Sequence, residues 1–148
     1  MNLNILPMMD AHVPAIAELE RICFSDPWSE NSVRAELNNP YSLWLIAEAD
    51  GELVGYIGSQ TAVDEADIMN VAVAPSHRRC GIGQMLIDEL AARLKEQGVI
   101  ALMLEVRASN LPAIALYGKI GFLQAGRRPG YYRKPKEDAL ILRKEWSL

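Results

Sequence analysis

The segment Arg78-Arg79-Cys80-Gly81-Ile82-Gly83 constrains this chain more than any other. It follows an apolar run, Asp67 to Val73, that Pro75 closes. It opens a stretch in which Met85, Leu86, Leu90 and Leu94 draw an apolar helical stripe from about Gly81 to Gln97, stopped by Gly98. A strand therefore hands over to a helix through a turn with two glycines. Such glycines leave the backbone uncovered and permit positive φ, and the first amides of a helix have no partner within it. A pyrophosphate placed there would be held by amide donors and the helix dipole, with Arg78 and Arg79 adding charge. Two common phosphate loops are excluded. No Gly-Lys-Ser/Thr follows, and Leu86 stands where the dinucleotide fingerprint has its third glycine. What remains is a phosphate site of a third kind or a turn that merely starts a helix.

The flanking pattern fits one α/β layer structure. Asn2 to Met8 reads as a strand. Asp10 reads as the N-cap of a helix ending near Cys23, with Pro14 in its first turn and Ile16, Leu19 and Cys23 at helical spacing. Ser25-Asp26-Pro27-Trp28 is a loop, and Ser29 caps a second short helix. Tyr41 to Ala49, Leu53 to Thr61 and Asp67 to Val73 form a meander, its first turn marked by Asp50-Gly51. After the long helix come a strand from Val99 to Val106, a helix from Asn110 to Lys119 broken by Gly121, and two closing strands, Phe122 to Gly126 and Asp138 to Arg143. The expected fold is a mixed, mostly antiparallel central sheet flanked by helices.

The 148 residues suit one domain spanning 1–148. A net charge of −4 argues against a dedicated nucleic-acid binder, so no direct nucleic-acid partner is expected. Cys23 and Cys80 form no Cys-x-x-Cys pair, and His12 and His77 have no metal-ligand spacing, so neither a disulfide framework nor a metal is expected. No apolar run reaches membrane-spanning length and no leader pattern opens the chain, which points to the cytoplasm and to no membrane partner.

Arg-x-x-Gly-x-Gly after a strand resembles the acyl-CoA loop of the GNAT superfamily of N-acetyltransferases, and the order of elements is similar over essentially the whole chain. The resemblance implies acetyl-CoA as cosubstrate. Val71, Ala72 and Val73 would offer backbone groups to the pantetheine arm. The loop around Arg78, Arg79, Cys80, Gly81, Ile82, Gly83 and Gln84 would grip the pyrophosphate, and Asn110 matches a cofactor-contacting asparagine. Phe24-Ser25-Asp26-Pro27-Trp28-Ser29, Leu104-Glu105-Val106-Arg107-Ala108-Ser109-Asn110, Ala113-Ile114-Ala115-Leu116-Tyr117 and Gly130-Tyr131-Tyr132 resemble the RimI branch, which acetylates the amino-terminal alanine of the small-subunit ribosomal protein numbered eighteen. The implied partner is thus a ribosomal-protein amino-terminal peptide, bordered by Trp28, Tyr131 and Tyr132, which sit in loops. Two departures stand out. Ser25 and Asp26 separate Phe24 from Pro27, and Cys80 takes a place often held by another polar residue.

Acetyl transfer needs a neutral amine, a polarised thioester and a protonated leaving thiolate. An α-amine titrates near 7.7–8.0 and lysine near 10.4, so a neutral lysine costs roughly 3 kcal/mol more at pH 7. Glu105 stands in an otherwise apolar strand, where a carboxylate is either ion-paired, for instance with Arg107, or exposed in a cleft. The resemblance makes it the general base, acting through a water. Tyr117 reads from periodicity as an aromatic packed beside Ile114, and the resemblance makes it the acid that reprotonates the thiolate. Backbone amides of Val71 to Val73 would polarise the thioester oxygen.

Asp64-Glu65-Ala66-Asp67 is either a solvated strand entry or a lure for a basic substrate tail. Arg127, Arg128, Arg133, Lys134 and Lys136 make a basic stretch, read as a solvated face ahead of a contact to the cofactor's 3′-phosphate or to ribosomal RNA. Two other readings stay open: the same fold acting on a lysine side chain or small amine, and a non-catalytic acyl-CoA-binding module associated with the ribosome.

Overall fold

A computed structural model describes residues 2–146. Seven strands form one sheet in the order β1-β2-β3-β4-β5-β7-β6. They are β1 (Leu3–Pro7), β2 (Ser42–Ala49), β3 (Glu52–Ala62), β4 (Glu65–Val73), β5 (Ala101–Arg107), β6 (Leu123–Arg133) and β7 (Lys136–Glu145). Only β4 and β5 run parallel; every other neighbouring pair is antiparallel. The parallel pair requires a crossover, supplied by α3 (Ile82–Glu96). Helices α1 (Val13–Cys23) and α2 (Glu30–Ala35) precede the meander, and α4 (Leu111–Ile120) joins β5 to β6.

Two cores hold the layers. Ile82, Leu86, Ile87, Leu90 and Leu94 of α3 pack with Leu45, Ile57, Leu102 and Leu104 and with Tyr117, Ile120 and Phe122. On the other face Val13, Ile16 and Leu19 of α1 and Val33 of α2 pack with Trp44, Ile46, Tyr56 and Ala72. Inward-facing strand residues thus serve α3 and α4 on one side and α1 and α2 on the other.

Ser29 caps α2, its hydroxyl accepting from the Ser32 amide at 3.1 Å. Asp50 and Gly51 take φ of 51° and 85°, the turn that the Asp-Gly pair demands. Asp10 does not cap α1. Its carboxylate is held by Arg34 at 2.9 Å, and a 3-10 turn over Asp10–His12 leads into the helix instead. The closing strands extend well past their sequence bounds. β6 continues past Gly126 because the ladder shifts register between Arg128 and Tyr132 and then resumes. Tyr131 and Tyr132 therefore lie on a strand, not in a loop.

Candidate active site

β4 and β5 pair only at Glu65–Asp67 against Ala101–Met103. Beyond Asp67 the edge of β4 that faces β5 has no ladder partner among the described residues, and the strands part. A cleft of about 860 Å³ opens between them. Its walls include Ile68 to Val71 of β4, Leu104 to Arg107 of β5, Asn110 and Tyr117 of α4, the segment Cys23–Trp28 after α1, and Tyr131 to Lys134 of β6 and its turn.

One wall is built from backbone. Arg79 and Gly81 both adopt left-handed φ, 64° and 78°. Gly81 caps α3 in that conformation, and Met85 makes the first bond of the helix, to the Gly81 carbonyl at 3.1 Å. The amides of Ile82, Gly83 and Gln84 therefore lead α3 without helical partners. Burial of the Ile82 side chain fixes their direction. A curled turn followed by free amides at a helix start has the donors and dipole that an anion requires. The arginines contribute unequally. Arg78 folds back, its Nε donating to the Val73 carbonyl at 3.3 Å and its guanidinium meeting the Cys23 sulfur at 3.5 Å. Arg79 is exposed, and so is Cys80. Val71 to Val73 are laddered to β3 on one side only, with Val71 in the cleft wall. Asn110 lines the cleft and caps α4, accepting from the Ala113 amide at 3.3 Å.

Glu105 and Tyr117 both face the cleft, from different elements. Glu105 is half-buried and pairs with Arg128 at 3.2 Å. Arg107, the partner considered from sequence, is taken by Glu137 and by the carbonyls of Lys134 and Pro135. Tyr117 is 9% exposed and meets Phe122 edge to face at 5.7 Å. Burial pushes its phenol up to about 12.

The other wall is built from side chains. Trp28 is half-buried, its ring edge-on to Trp44 at 5.3 Å, and Trp44 stacks on Tyr56 at 6.0 Å. Gly58 makes room for this, since a Cβ there would lie 2.2 Å from the Trp44 ring. Tyr131 and Tyr132 meet edge to face at 5.1 Å, with the Arg107 guanidinium over Tyr132 at 4.3 Å. Burial, reinforced by Tyr131 and Glu105, pushes Tyr132 up to about 12. Ser25, one of the two inserted residues, reaches across to donate to the Lys134 carbonyl at 2.7 Å.

Sequence reading missed three residues of this wall. Arg128, read as part of a solvated basic face, pairs with Glu105. Glu20, 1% exposed, accepts from the Trp28 amide at 2.8 Å, from Asn70 Nδ2 at 2.6 Å and from the Tyr56 hydroxyl. The signal for Glu20 was available, because it follows Val13, Ile16 and Ala17 on the apolar stripe of α1. Withdrawing a carboxylate from water is costly, and hydrogen bonds to a charged group return about 1.5–3 kcal/mol each. Burial lifts Glu20 to about 7, opposed by the Trp28 amide. Asn70 sits beside a β-bulge, where Met69 is the extra residue opposite Gly58 and Ser59. Of the acidic string, Glu65 is occupied by Arg143 and so is not free to attract a basic tail. No cluster of three or more metal-ligating side chains is present among the described residues, and no helix there is long and apolar enough to cross a membrane.

The model of the Acetyltransferase (GNAT) family matches residues 13–122. The [ribosomal protein bS18]-alanine N-acetyltransferase of Salmonella typhimurium is 39% identical over 142 residues, covering 95% of this chain and 94% of that one. The crystal structure of the ribosomal-protein-S18-alanine N-acetyltransferase from Escherichia coli superposes with a TM-score of 0.92 at 34% identity, over 99% of this chain and 96% of that one. The paia N-acetyltransferase of Thermoplasma acidophilum, solved in complex with coenzyme A, shares the fold at a TM-score of 0.84 and 20% identity, over 99% of this chain and 100% of that one.

Proposed function

The chain belongs to the GNAT family of acetyltransferases, and from that premise we propose that it acetylates the α-amine of the amino-terminal alanine of ribosomal protein bS18, in the cytoplasm, as one domain over residues 1–148. The carrying observation is the gap between β4 and β5, with a backbone anion site beside it and Glu105 and Tyr117 on its walls. The relatives named for this acceptor align along nearly their whole length, which supports the substrate.

The curled Arg79–Gly81 turn and the free amides of Ile82, Gly83 and Gln84 fit a pyrophosphate, with Arg79 as the exposed cation beside them. The unladdered edge of Val71 to Val73 fits an extended amide-bearing arm, and Asn110 lies within reach of the same channel. Acetyl-CoA, when bound, supplies the activated acetyl group and a thiolate leaving group.

Glu105 receives the proton of the incoming amine, directly or through a water, and Arg128 holds its carboxylate in place. The α-amine needs little help, since about one proton in ten is already off at pH 7 for a pKa near 8. Backbone amides at the β4 edge are placed to take charge developing on an acyl oxygen. Tyr117 faces the cleft as the acid: as the new C–N bond forms and the C–S bond breaks, its hydroxyl donates a hydrogen bond to the departing sulfur and passes its proton to it, and burial keeps the phenol in its neutral, donating form. Trp28, Tyr131 and Tyr132 border the acceptor, and their half-exposed rings suit a short peptide end.

The test is incubation with acetyl-CoA and a peptide copying the alanine-starting tail of bS18, followed by mass spectrometry, beside an α-blocked, lysine-containing copy. Acetylation of the free-tail peptide alone is the expected result. Modification of the blocked copy would move the acceptor to lysine, and modification of neither would favour a small amine or a binding role.

A further inference from the structure

A buried carboxylate that the transfer chemistry does not use stands behind the acceptor wall. Glu20 occupies a position of α1 where the spacing Val13, Ile16, Ala17 calls for an apolar residue. A leucine or methionine would fill the space without a desolvation cost. Instead its two oxygens gather donors from three separate places: the Trp28 amide in the lip between α1 and α2, the Tyr56 hydroxyl of β3 and the Asn70 amide beside the β4 bulge. All three donate to the Glu20 carboxylate, and the Trp28 N–H can be served only by an acceptor. The Phe24 amide also closes α1 on the main-chain carbonyl of residue 20 at 2.9 Å, a bond that any side chain there leaves in place.

We propose that Glu20 is the positioning residue of the acceptor wall, fastening the Phe24–Ser29 lip to the bulged strand β4 and so setting the channel by which the peptide amine reaches Glu105. The inference rests on the peptide reading given above. The two ends of this tie are cleft residues: Trp28 lines one wall and Asn70 another, next to Met69 and Val71. The pyrophosphate turn is not among the partners of Glu20, so the tie acts on acceptor binding and spares the cofactor.

The three donors differ in freedom, and that makes the role testable. The Tyr56 hydroxyl can rotate and the Asn70 amide can turn over, so each can accept instead of donate. The Trp28 N–H cannot. Glu20→Gln therefore keeps its one oxygen on Trp28 and preserves the lip, whereas Glu20→Met, of similar length, offers no comparable acceptor.

The experiment measures hydrogen exchange across the chain, peptide KM with the bS18-tail peptide, and coenzyme A affinity, in wild type, Glu20→Met and Glu20→Gln. In Glu20→Met, lip amides from Phe24 to Ser29 should exchange about tenfold faster or more, and peptide KM should rise by a similar factor. Coenzyme A affinity and exchange in α3 should stay within about twofold. Glu20→Gln should restore both readouts to within about threefold of wild type. Unchanged lip exchange in Glu20→Met overturns the tie. Faster lip exchange with unchanged KM overturns its part in acceptor binding, and a parallel loss of coenzyme A affinity reduces Glu20 to general support of the fold. A wild-type protein that leaves the peptide unmodified overturns the acceptor reading instead, while lip exchange still decides the tie. Should Glu20→Met not fold, Tyr56→Phe, which keeps the ring and removes one donor, should raise lip exchange and KM about threefold, and no change in either overturns the proposal.

Discussion

The two walls of the cleft are made of different material. The wall proposed for the cofactor is main chain: a turn with left-handed Arg79 and Gly81, the leading amides of α3 and the unladdered edge of β4. The wall proposed for the acceptor is side chains converging from distant segments: Glu20 on Trp28 and Asn70, Trp44 between Trp28 and Tyr56, Arg128 on Glu105, and Arg107 over Tyr132. A wall of amides tolerates changes of side chain as long as φ is kept. A wall of side chains changes its acceptor when one contact changes. The proposed function gives acetyl-CoA to the first wall and the peptide acceptor to the second.

The largest expected effect lies where the walls meet. Glu105→Gln should lower kcat/KM for the alanine-starting peptide by about a hundredfold to ten-thousandfold at pH 7, the usual range for a lost general base. Coenzyme A affinity should be unchanged by calorimetry, and a fall in that affinity would mean that Glu105 serves the cofactor wall. Next, Gly58→Ala drives a Cβ to 2.2 Å from the Trp44 ring, a close approach that the strand cannot yield to freely. Overpacking of this kind costs about 1–3 kcal/mol, read as a lower melting temperature, and the displaced Trp44 should raise peptide KM through Trp28. A variant equally unstable but with unaltered KM would detach Trp44 from the acceptor wall.

Gly81→Val is a smaller effect on the other wall. The site has open space around the glycine but a φ of 78°, so the penalty is conformational, on the order of 1–2 kcal/mol. That amounts to about a tenfold loss of coenzyme A affinity, with peptide KM at saturating acetyl-CoA nearly unchanged. Smallest is a pH effect. Burial raises the Tyr117 phenol, so its neutral donor form persists to higher pH than in a free tyrosine and is lost only as pH climbs through about 12. The kcat profile should therefore show no decline from Tyr117 below about pH 10. A descending limb near 9 that vanishes in Tyr117→Phe would contradict the burial argument.

The same contrast explains what the sequence disclosed. A backbone site is written locally: Gly81 must be small because of its φ, Gly98 ends α3 at a φ of 88°, and both could be read in line. The strand–helix order and the mixed sheet followed from such local signals. A side-chain site is written in pairs far apart, and no local period joins Glu20 to Asn70 or Arg128 to Glu105. Glu105 looked paired, but the nearer Arg107 was the natural guess until the β6–β7 hairpin placed Arg128 beside it. The length of that hairpin was not read from sequence, which ended the first strand at Gly126, whereas the ladder resumes past a register shift between Arg128 and Tyr132. Asp10 has the chemistry of a cap, yet Arg34, 24 residues on, holds its carboxylate instead.

The separateness of the two walls is tested most directly by the coenzyme A affinity of Trp28→Ala, measured by calorimetry together with its peptide KM. Trp28 touches the acceptor wall through Trp44 and Glu20 and has no contact with the α3 turn among its aromatic and hydrogen-bond partners. The account predicts coenzyme A affinity within about twofold of wild type and a peptide KM raised about tenfold or more, the size expected when an aromatic anchor is removed. A loss of coenzyme A affinity equal to the loss of peptide binding would contradict it.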